Sequence, residues 1–255
     1  MQYLIYPTRV LNITQNYNGK FSHYEESHGK PCAYPIDENC GGSARDYFYA
    51  PCDLTVKRIY GLNGPGTNTI WLESVDKVKL ANGRSSKVTI RVTHPNDDTL
   101  KHFKIVQLYK QYDKMFLEGN DGRATGYHFH IEVNDCPFKD LTNNGWVKNS
   151  KGAWVTSPNS MKPEDAFFID KKFTTIKNTA DLNFKYLPES KTKYYSKYNG
   201  KSKSLVDALK GIKVDSSFIH RAKIAKANGI KLYLGTSKQN IMLLSLLIQG
   251  KLVKE

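Results

Sequence analysis

Apolar and polar residues alternate with a period of two along residues 126–133, Gly-Tyr-His-Phe-His-Ile-Glu-Val. This period predicts a half-buried β-strand, because successive side chains of a strand point to opposite faces. His128 and His130 would therefore share one face, where two imidazoles can meet one metal ion or one substrate. The opposite, buried face would comprise Phe129, Ile131 and Val133.

Short stretches rich in β-branched residues precede this segment and predict further strands. The tetrapeptide Asn-Tyr-Asn-Gly at 16–19 predicts a turn, and a glycine-studded loop at 118–126 leads into the His-x-His strand. Short strands separated by turn residues favour a mainly antiparallel β domain. The other predicted strands lie within residues 49–59, 69–75 and 88–93.

The pattern changes near residue 172. Residues 173–203 are rich in Lys, Tyr, Ser and Asn without a sustained period and are interpreted as a linker. From Ser204 onward the signals are helical, and Ser204/Asp207 and Thr236/Gln239 fit capping boxes. The prediction is a β domain over 1–172 and a small all-α, three-helix domain over 204–255. The predicted apolar faces comprise Leu205, Leu209 and Ile212, then Phe218, Ala222 and Ala225, then Ile241, Leu244 and Ile248.

Charge separates the same two regions. The chain has 38 basic and 24 acidic residues, a net charge of +14. Residues 171–255 hold 18 of the basic and 5 of the acidic residues, and the rest of the chain is nearly neutral. A basic C-terminal region favours an anionic partner such as nucleic acid, a membrane surface or an anionic cell wall, although a lysine-rich proteome would give the same composition.

Four cysteines, Cys32, Cys40, Cys52 and Cys136, lack Cys-x-x-Cys spacing, which disfavours a zinc knuckle. Cys40 and Cys52 could pair, but reduced thiols are expected. The N-terminal residues lack a basic segment followed by an apolar one, so no secretory signal is predicted. The apolar run at 241–248 is too short to span a bilayer. The protein is therefore expected to be soluble and made in the cytosol.

The chain has seven histidines, and a hydrolytic zinc takes three protein ligands and leaves one position for water. His130, an earlier histidine and Asp37 would form such a set, and a further histidine could move protons or hold an oxyanion. Spacing alone does not select the ligands, since they come from separate strands. The seven are His23, His28, His94, His102, His128, His130 and His220.

Three blocks of sequence resemble the lysostaphin-type zinc endopeptidases of peptidoglycan. Residues 14–23 and 34–37, ending in Ser-His and Ile-Asp, are similar to the opening that supplies two ligands in that family. Residues 49–56 look like its next strand, and residues 118–133 are similar to its Gly-Asn-x-Gly, Thr-Gly and His-Leu-His-Phe-Glu signature. The order and rough spacing of the blocks agree over about residues 10–135.

The resemblance implies a role for each matching position. It makes His23, Asp37 and His130 zinc ligands and His128 a catalytic histidine. His94, at the end of a predicted strand, would be the second catalytic histidine, although the family's preceding Tyr-Ala pair is replaced here.

Two of these positions have competitors. His28 is closer to Asp37 in sequence and competes with His23, and His102 competes with His94. Glu132 would point to the histidine face. A role in supporting a ligand or in a salt bridge and the absence of any role are equally open for it. His220 is expected to be solvated.

The resemblance implies a zinc metalloendopeptidase that cuts peptide bonds of bacterial peptidoglycan. Residues 204–255 resemble, more weakly, C-terminal modules of clostridial phage lysins, which implies binding to the cell wall and its anionic polymers. A phage or prophage endolysin is expected, held in the host cytoplasm until another phage protein opens the membrane. The alternatives are a non-catalytic wall-binding protein on a degenerate fold, and a nucleic-acid-binding protein, for which no binding motif is seen.

Overall fold

The computed structural model describes residues 1–19, 23–25, 30–31, 34–40, 45–64, 66–122, 124–141, 146–148, 154–156, 159–188 and 194–255. Two compact units make up the chain, Met1–Leu187 and Pro188–Glu255. The first is mainly antiparallel β-sheet and the second is helical, as predicted. Within the described ranges, no helix is long and apolar enough to cross a membrane.

The strands of the first unit are short. Among the described residues, two short α-helices and a 3₁₀ turn at Phe138–Asp140 interrupt them. The strands are Val10–Gln15 (β1), Tyr24–Glu25 (β2), Lys30–Pro31 (β3), Ile36–Glu38 (β4), Tyr47–Tyr49 (β5), Leu54–Tyr60 (β6), Thr69–Ser74 (β7), Val78–Lys79 (β8), Ser85–Ser86 (β9), Thr89–Thr93 (β10), Leu108–Tyr109 (β11), Lys114–Leu117 (β12), Phe129–Asn134 (β13), Trp146–Lys148 (β14), Trp154–Thr156 (β15), Ser160–Met161 (β16), Phe168–Ile169 (β17), Thr175–Asn178 (β18) and Lys185–Tyr186 (β19). The helices are Asp97–Leu100 (α1) and Pro163–Ala166 (α2).

Among the described residues, nine strands form the main sheet. Its order is β11-β6-β7-β10-β13-β4-β1-β18, and β16 also pairs with β13. The pairings are antiparallel except that of β1 with β18, which is parallel. The His-x-His strand, β13, thus lies in the interior of the sheet between β10 and β4.

The alternation predicted for β13 is confirmed. Phe129, Ile131 and Val133 are at most 1% exposed and lie in the core of the sheet. All residues of β7 and β10 are buried as well, which fits strands covered on both faces. The sheet therefore holds the backbone of β13 rigidly. This also fixes the positions from which the side chains on its other face extend.

The second unit contains the three predicted helices, Leu205–Gly211 (α3), Phe218–Ala227 (α4) and Ser237–Ile248 (α5). Both predicted N-caps are confirmed. The Ser204 side chain accepts a hydrogen bond from the Asp207 backbone, and Thr236 forms a full capping box with Gln239. Each cap satisfies backbone N–H groups that have no partner within the helix.

The predicted apolar face of α5 is wrong in part. Ile241 and Ile248 are 63% and 43% exposed, whereas Leu243 and Leu247 are fully buried with Leu244. Residues 241–248 are apolar at seven of eight positions, so period alone cannot choose a face and packing against the other helices decides it. On α4, Phe218 is likewise 51% exposed, and Ile224 occupies the core beside Ala225.

Part of the segment predicted as a linker is structured. Thr175–Asn178 pairs with β1, and Lys185–Tyr186 pairs with β17, so residues up to Leu187 belong to the first compact unit. The competitor ligand His28 and Cys32 lie outside the described residues. Cys40, Cys52 and Cys136 are free thiols.

Candidate metal centre

Asp37 and His130 are brought together by strand register. They are directly opposite each other in the antiparallel pair of β4 and β13, where facing side chains come within contact distance. His130 Nδ1 lies 2.9 Å from Asp37 Oδ1. Gln15 of β1 is the partner of Asp37 on the other side and donates to its Oδ2 at 3.0 Å. Asp37 is therefore held from both neighbouring strands.

His23 reaches the same carboxylate from the turn after β1. The predicted turn is present, with a hydrogen bond from Gly19 to the Asn16 carbonyl, and His23 in turn donates its backbone N–H to the Gly19 carbonyl. His23 is only 3% exposed, and its Nδ1 donates to the Asn16 carbonyl at 2.9 Å. Its Nε2 lies 3.2 Å from Asp37 Oδ1.

The three residues offer the donor set of a zinc site. One ligand atom from each of His23, Asp37 and His130 lies within 4.8 Å of the other two. Two imidazole nitrogens and one carboxylate oxygen suit zinc, which accepts three protein ligands in catalytic sites. The nitrogen of each histidine that faces away from the cluster has an acceptor, Asn16 for His23 and Glu132 for His130. Held imidazoles of this kind are typical of metal ligands.

Electrostatics couple Asp37 to His130. Burial disfavours the charged form of each, but their mutual hydrogen bond and charge outweigh it. Together with His23, His130 holds the pKa of the Asp37 carboxyl well below its usual range. Asp37 and Glu132 in turn raise the pKa of His130 to about 9. Without a metal, the cluster therefore holds a proton on His130 at neutral pH.

Zinc binding should consequently depend on pH. A metal ion must displace the His130 proton, so apparent zinc affinity should rise about tenfold per pH unit from pH 6 until it levels off near the pKa of about 9. Competition titrations against a chromophoric chelator would measure this rise. In the metal-free protein the stability of the fold changes with pH in the opposite direction. Because folding raises the pKa of His130 from 6.5 to about 9, the proton on His130 stabilises the fold below pH 6.5. This stabilisation is lost as the pH rises through 9. Zinc affinity that is flat over this range would contradict the assignment of His130.

His94 and His128 form a second pair beside these three residues. Their ring centroids are 4.5 Å apart, and His128 Nε2 lies 3.9 Å from Asp37 Oδ1. His94 Nδ1 donates to the Asp121 carbonyl at 2.7 Å, and His128 Nδ1 donates to the Gly126 carbonyl at 2.9 Å. A neutral imidazole that donates through Nδ1 keeps a lone pair on Nε2. Burial lowers the pKa of His94 to about 4, so His94 stays neutral at neutral pH.

The backbone at His94 is strained, because its φ of 80° lies in a region that residues with a Cβ rarely adopt. Hydrogen bonds fix it there: the His94 N–H donates to the Asn68 carbonyl, and the His94 carbonyl accepts from Asp121. Gly119 packs against this backbone, and its carbonyl also accepts from the N–H of His128. Gly119 is therefore wedged between the two histidines.

A side chain at Gly119 should disturb the His94 turn. A Cβ there would lie 2.0 Å from the His94 carbonyl oxygen, a contact that requires the backbone to move. Gly119→Ala should keep zinc and lower turnover on the order of 100-fold, the effect of misplacing a reacting group by about 1 Å. Metal content, melting temperature and the hydrolytic rate that the sequence resemblance implies would be measured together. Gly126→Ala is the matched control, since no atom of the described residues lies within 4 Å of a Cβ there. Equal rates in both variants would contradict the prediction.

The structure thus brings His23, Asp37, His94, His128 and His130 into one cluster, and their chemical roles stay proposals. The competitor His102 is exposed on the turn after α1. His220 is not simply solvated: its Nε2 lies 3.1 Å from the Tyr195 hydroxyl and its Nδ1 3.2 Å from Glu255.

Sequence reasoning missed the groups that orient the histidines. The carbonyls of Asn16, Asp121 and Gly126 are backbone atoms and leave no residue-type signal. The partner of Glu132 was also missed. Arg91 forms a buried ion pair with it, across the register of β10 and β13. The strand period places both side chains on the histidine face, and this signal could have suggested the pair.

A second set of acidic groups was also missed on the opposite side of β4. Glu38 and Glu118 are both buried, and Glu118 accepts a hydrogen bond from the Cys40 backbone at 2.8 Å. Burial and then the charge of Glu118 raise the pKa of Glu38, and burial likewise raises the pKa of Glu118. Two neighbouring buried carboxyls disfavour each other's charged form. Together with Cys40 they link the end of β4 to the residue after β12.

Comparisons with known proteins include a relative that is similar in sequence. The chain is 30% identical over 148 residues to morphogenesis protein 1 of Bacillus phage B103. The match includes 58% of this chain and 35% of the relative, so the chain spans about a third of that protein's length. No family model matches the chain.

Among solved structures, two similar proteins are described as a zinc-containing peptidase and as an antimicrobial peptidase. A zinc-containing peptidase from Vibrio cholerae is 23% identical over 50% of this chain and 36% of its own, with a TM-score of 0.33. The catalytic domain of lysostaphin from Staphylococcus simulans is 16% identical over 64% of this chain and 86% of its own, with a TM-score of 0.30. Structural similarity at TM-scores this low does not indicate a function. The function proposed below is therefore based on the site itself.

Proposed function

We propose that the protein is a zinc-dependent endopeptidase that cleaves peptide bonds of bacterial peptidoglycan. The observation that carries the proposal is the arrangement around Asp37. Two histidines offer nitrogens to the same carboxylate oxygen, and two more, His94 and His128, stand beside them with Nδ1 hydrogen-bonded to a backbone carbonyl. This arrangement supplies a metal-ligand set and a proton-transfer pair in one place.

His23 Nε2, Asp37 Oδ1 and His130 Nδ1 would hold the metal ion. When bound there, zinc would supply Lewis acidity that polarises the scissile carbonyl and activates water. Asp37 has a second function in this reading. Its charge lies 3.9 Å from His128 Nε2 and would stabilise that imidazole once it has taken a proton.

His128 and His94 would move the protons of the reaction. Each holds its Nδ1 proton on a backbone carbonyl, so each Nε2 can accept a proton from the attacking water and return one to the leaving amine. Burial keeps His94 neutral, which preserves its lone pair at neutral pH. A protonated Nε2 of either ring is also a donor for the oxyanion that develops on the carbonyl oxygen.

The helical unit would bind the wall. Residues 188–255 include 14 basic and 4 acidic residues, a charge that complements anionic wall polymers. The unit also exposes large apolar side chains, among them Ile219, Leu232 and Leu234. Attachment to a polymeric substrate raises the local concentration of cleavable bonds for the catalytic unit.

A phage origin fits both the sequence resemblance and the relative. The relative is named a morphogenesis protein of a Bacillus phage. We therefore propose two settings for the same activity, an endolysin released from the host cytoplasm or a hydrolase that is part of the phage particle. Protein that copurifies with intact particles would favour the second setting, and its absence from them would favour the first.

The test is the clearing of purified Gram-positive cell walls. Turbidity would be followed with the protein as isolated, after chelation, and after zinc is restored, with mass spectrometry of the fragments. We expect clearing that stops on chelation and returns with zinc, and fragment masses that show a broken peptide bond. Sedimentation with the walls without clearing would instead indicate a non-catalytic wall-binding protein.

A further inference from the structure

His130 lies between two carboxylates. Its Nδ1 is 2.9 Å from Asp37 Oδ1, and its Nε2 is 2.9 Å from Glu132 Oε1. Asp37 is a candidate metal ligand, but Glu132 faces the other nitrogen of the ring. Residues 130 and 132 lie on the same face of β13, so the strand itself places the Glu132 carboxylate beside the imidazole.

Glu132 is itself held rigidly. It is 1% exposed, and the guanidinium of Arg91, which is 3% exposed, binds the same carboxylate oxygen that contacts His130. Arg91 and Glu132 are direct partners in the register of β10 and β13, in the middle of the sheet. A buried carboxylate with a fixed cation on one side has little freedom to move away from the imidazole on its other side.

We infer that Glu132, anchored by Arg91, is the positioning residue of the metal centre, an inference that rests on the proposed zinc site. A neutral imidazole has one N–H and one lone pair. Because Glu132 accepts the Nε2 proton, the lone pair is placed on Nδ1, the nitrogen that faces His23 and Asp37. The same hydrogen bond fixes the plane of the ring and makes Nδ1 a better donor to a cation.

The two candidate histidine ligands present different ring nitrogens to the cluster, and this difference supports the assignment. His23 holds its Nδ1 on the carbonyl of Asn16 and presents Nε2 to the cluster, whereas His130 presents Nδ1 and holds Nε2 on a carboxylate. A carboxylate withdraws the ring proton more strongly than a carbonyl does. Glu132 therefore determines which nitrogen of His130 is available as well as the orientation of its ring.

Removing Glu132 alone would take the carboxylate away from the buried guanidinium of Arg91 and could unfold the protein. The main variant is therefore the double substitution Arg91→Met/Glu132→Leu, which replaces the whole ion pair by apolar side chains. Glu132→Gln is the second variant, because its amide oxygen can still accept the Nε2 proton. Glu73→Gln is the matched control: Glu73 is a buried strand carboxylate that pairs with Lys57 and Lys87.

Two readouts separate positioning from folding. Zinc affinity of the full chain would be measured by competition with a chromophoric chelator. Long-range ¹H–¹⁵N spectra of the zinc-loaded protein, labelled in its histidines, would identify the nitrogen of His130 that carries the proton. We expect the double variant to lose about 10–100-fold in zinc affinity and its fixed Nε2–H signal, Glu132→Gln to lose less and keep the signal, and Glu73→Gln to match the wild type.

The outcomes distinguish this inference from the proposed function. Unchanged zinc affinity in the double variant, or a wild-type spectrum in which Nε2 is the metal ligand, would overturn the role of Glu132 and leave the zinc site standing. A wild-type protein that binds no zinc through His130 would overturn both. Melting temperatures of the zinc-free proteins verify that the variants compared are folded.

Discussion

Replacing Asp37 by alanine should abolish zinc binding, and wall clearing with it. The Asp37 carboxylate is the point at which His23 and His130 converge, at 3.2 and 2.9 Å from one oxygen. Without it the site loses one of three ligands and the charge that offsets a divalent cation. Metal content after dialysis would be measured by mass spectrometry, with His130→Ala as a second variant that is expected to behave alike.

Asp98→Ala is the control for that experiment. Asp98 is an aspartate with a 58% exposed side chain that pairs with Arg45 at the surface, so its loss should leave metal and clearing unchanged. One equivalent of zinc retained by Asp37→Ala would remove Asp37 from the ligand set. Loss of zinc in Asp98→Ala as well would point to a general effect on folding.

His128→Ala should give the opposite combination, with zinc retained and turnover lowered about 10²–10⁴-fold, the usual contribution of a positioned acid–base group. His128 Nε2 lies 3.9 Å from Asp37 Oδ1, and its loss leaves all three candidate ligands in place. His94→Ala should fall in the same range, because the two rings are 4.5 Å apart and would share the proposed proton transfer. Initial clearing rates at equal zinc content would be compared.

His102→Ala is the control that separates the two candidates for the second catalytic histidine. It is exposed on the turn after α1, so its removal should not change the rate. A His102→Ala protein as slow as His128→Ala would exchange the assignments of His94 and His102. A fully active His128→Ala protein would end the acid–base role proposed for that ring.

The sequence was sufficient for features that depend on local pattern. The alternation around His130 predicted the strand and its two faces, and Ser204 and Thr236 marked helix starts because capping needs only a side-chain oxygen near the first turn. The turn ending at Gly19 was predicted in the same way. Each of these features depends on residues within four positions of one another.

Features that depend on contacts between distant segments were not predictable from those patterns. The pairing of Asp37 with His130 is a matter of strand register, and the tie of His94 to Asp121 involves a backbone carbonyl. The buried face of α5 depended on packing, since its apolar run offers two alternative stripes. At the level of sequence, only the resemblance to a known family indicates that the five residues of the cluster belong to one site.

The parallel pairing of β1 with β18 has a consequence for synthesis of the chain. β1 carries Gln15, the partner of Asp37, and among the described residues its outer edge is paired by Thr175–Asn178, far later in the chain. A nascent chain therefore has an open strand edge next to the candidate metal centre until Asn178 has left the ribosome. Open edges recruit strands of other molecules. A gene fragment that stops at residue 172 would keep that edge open permanently, and its product should aggregate where the chain ending at Leu187 does not.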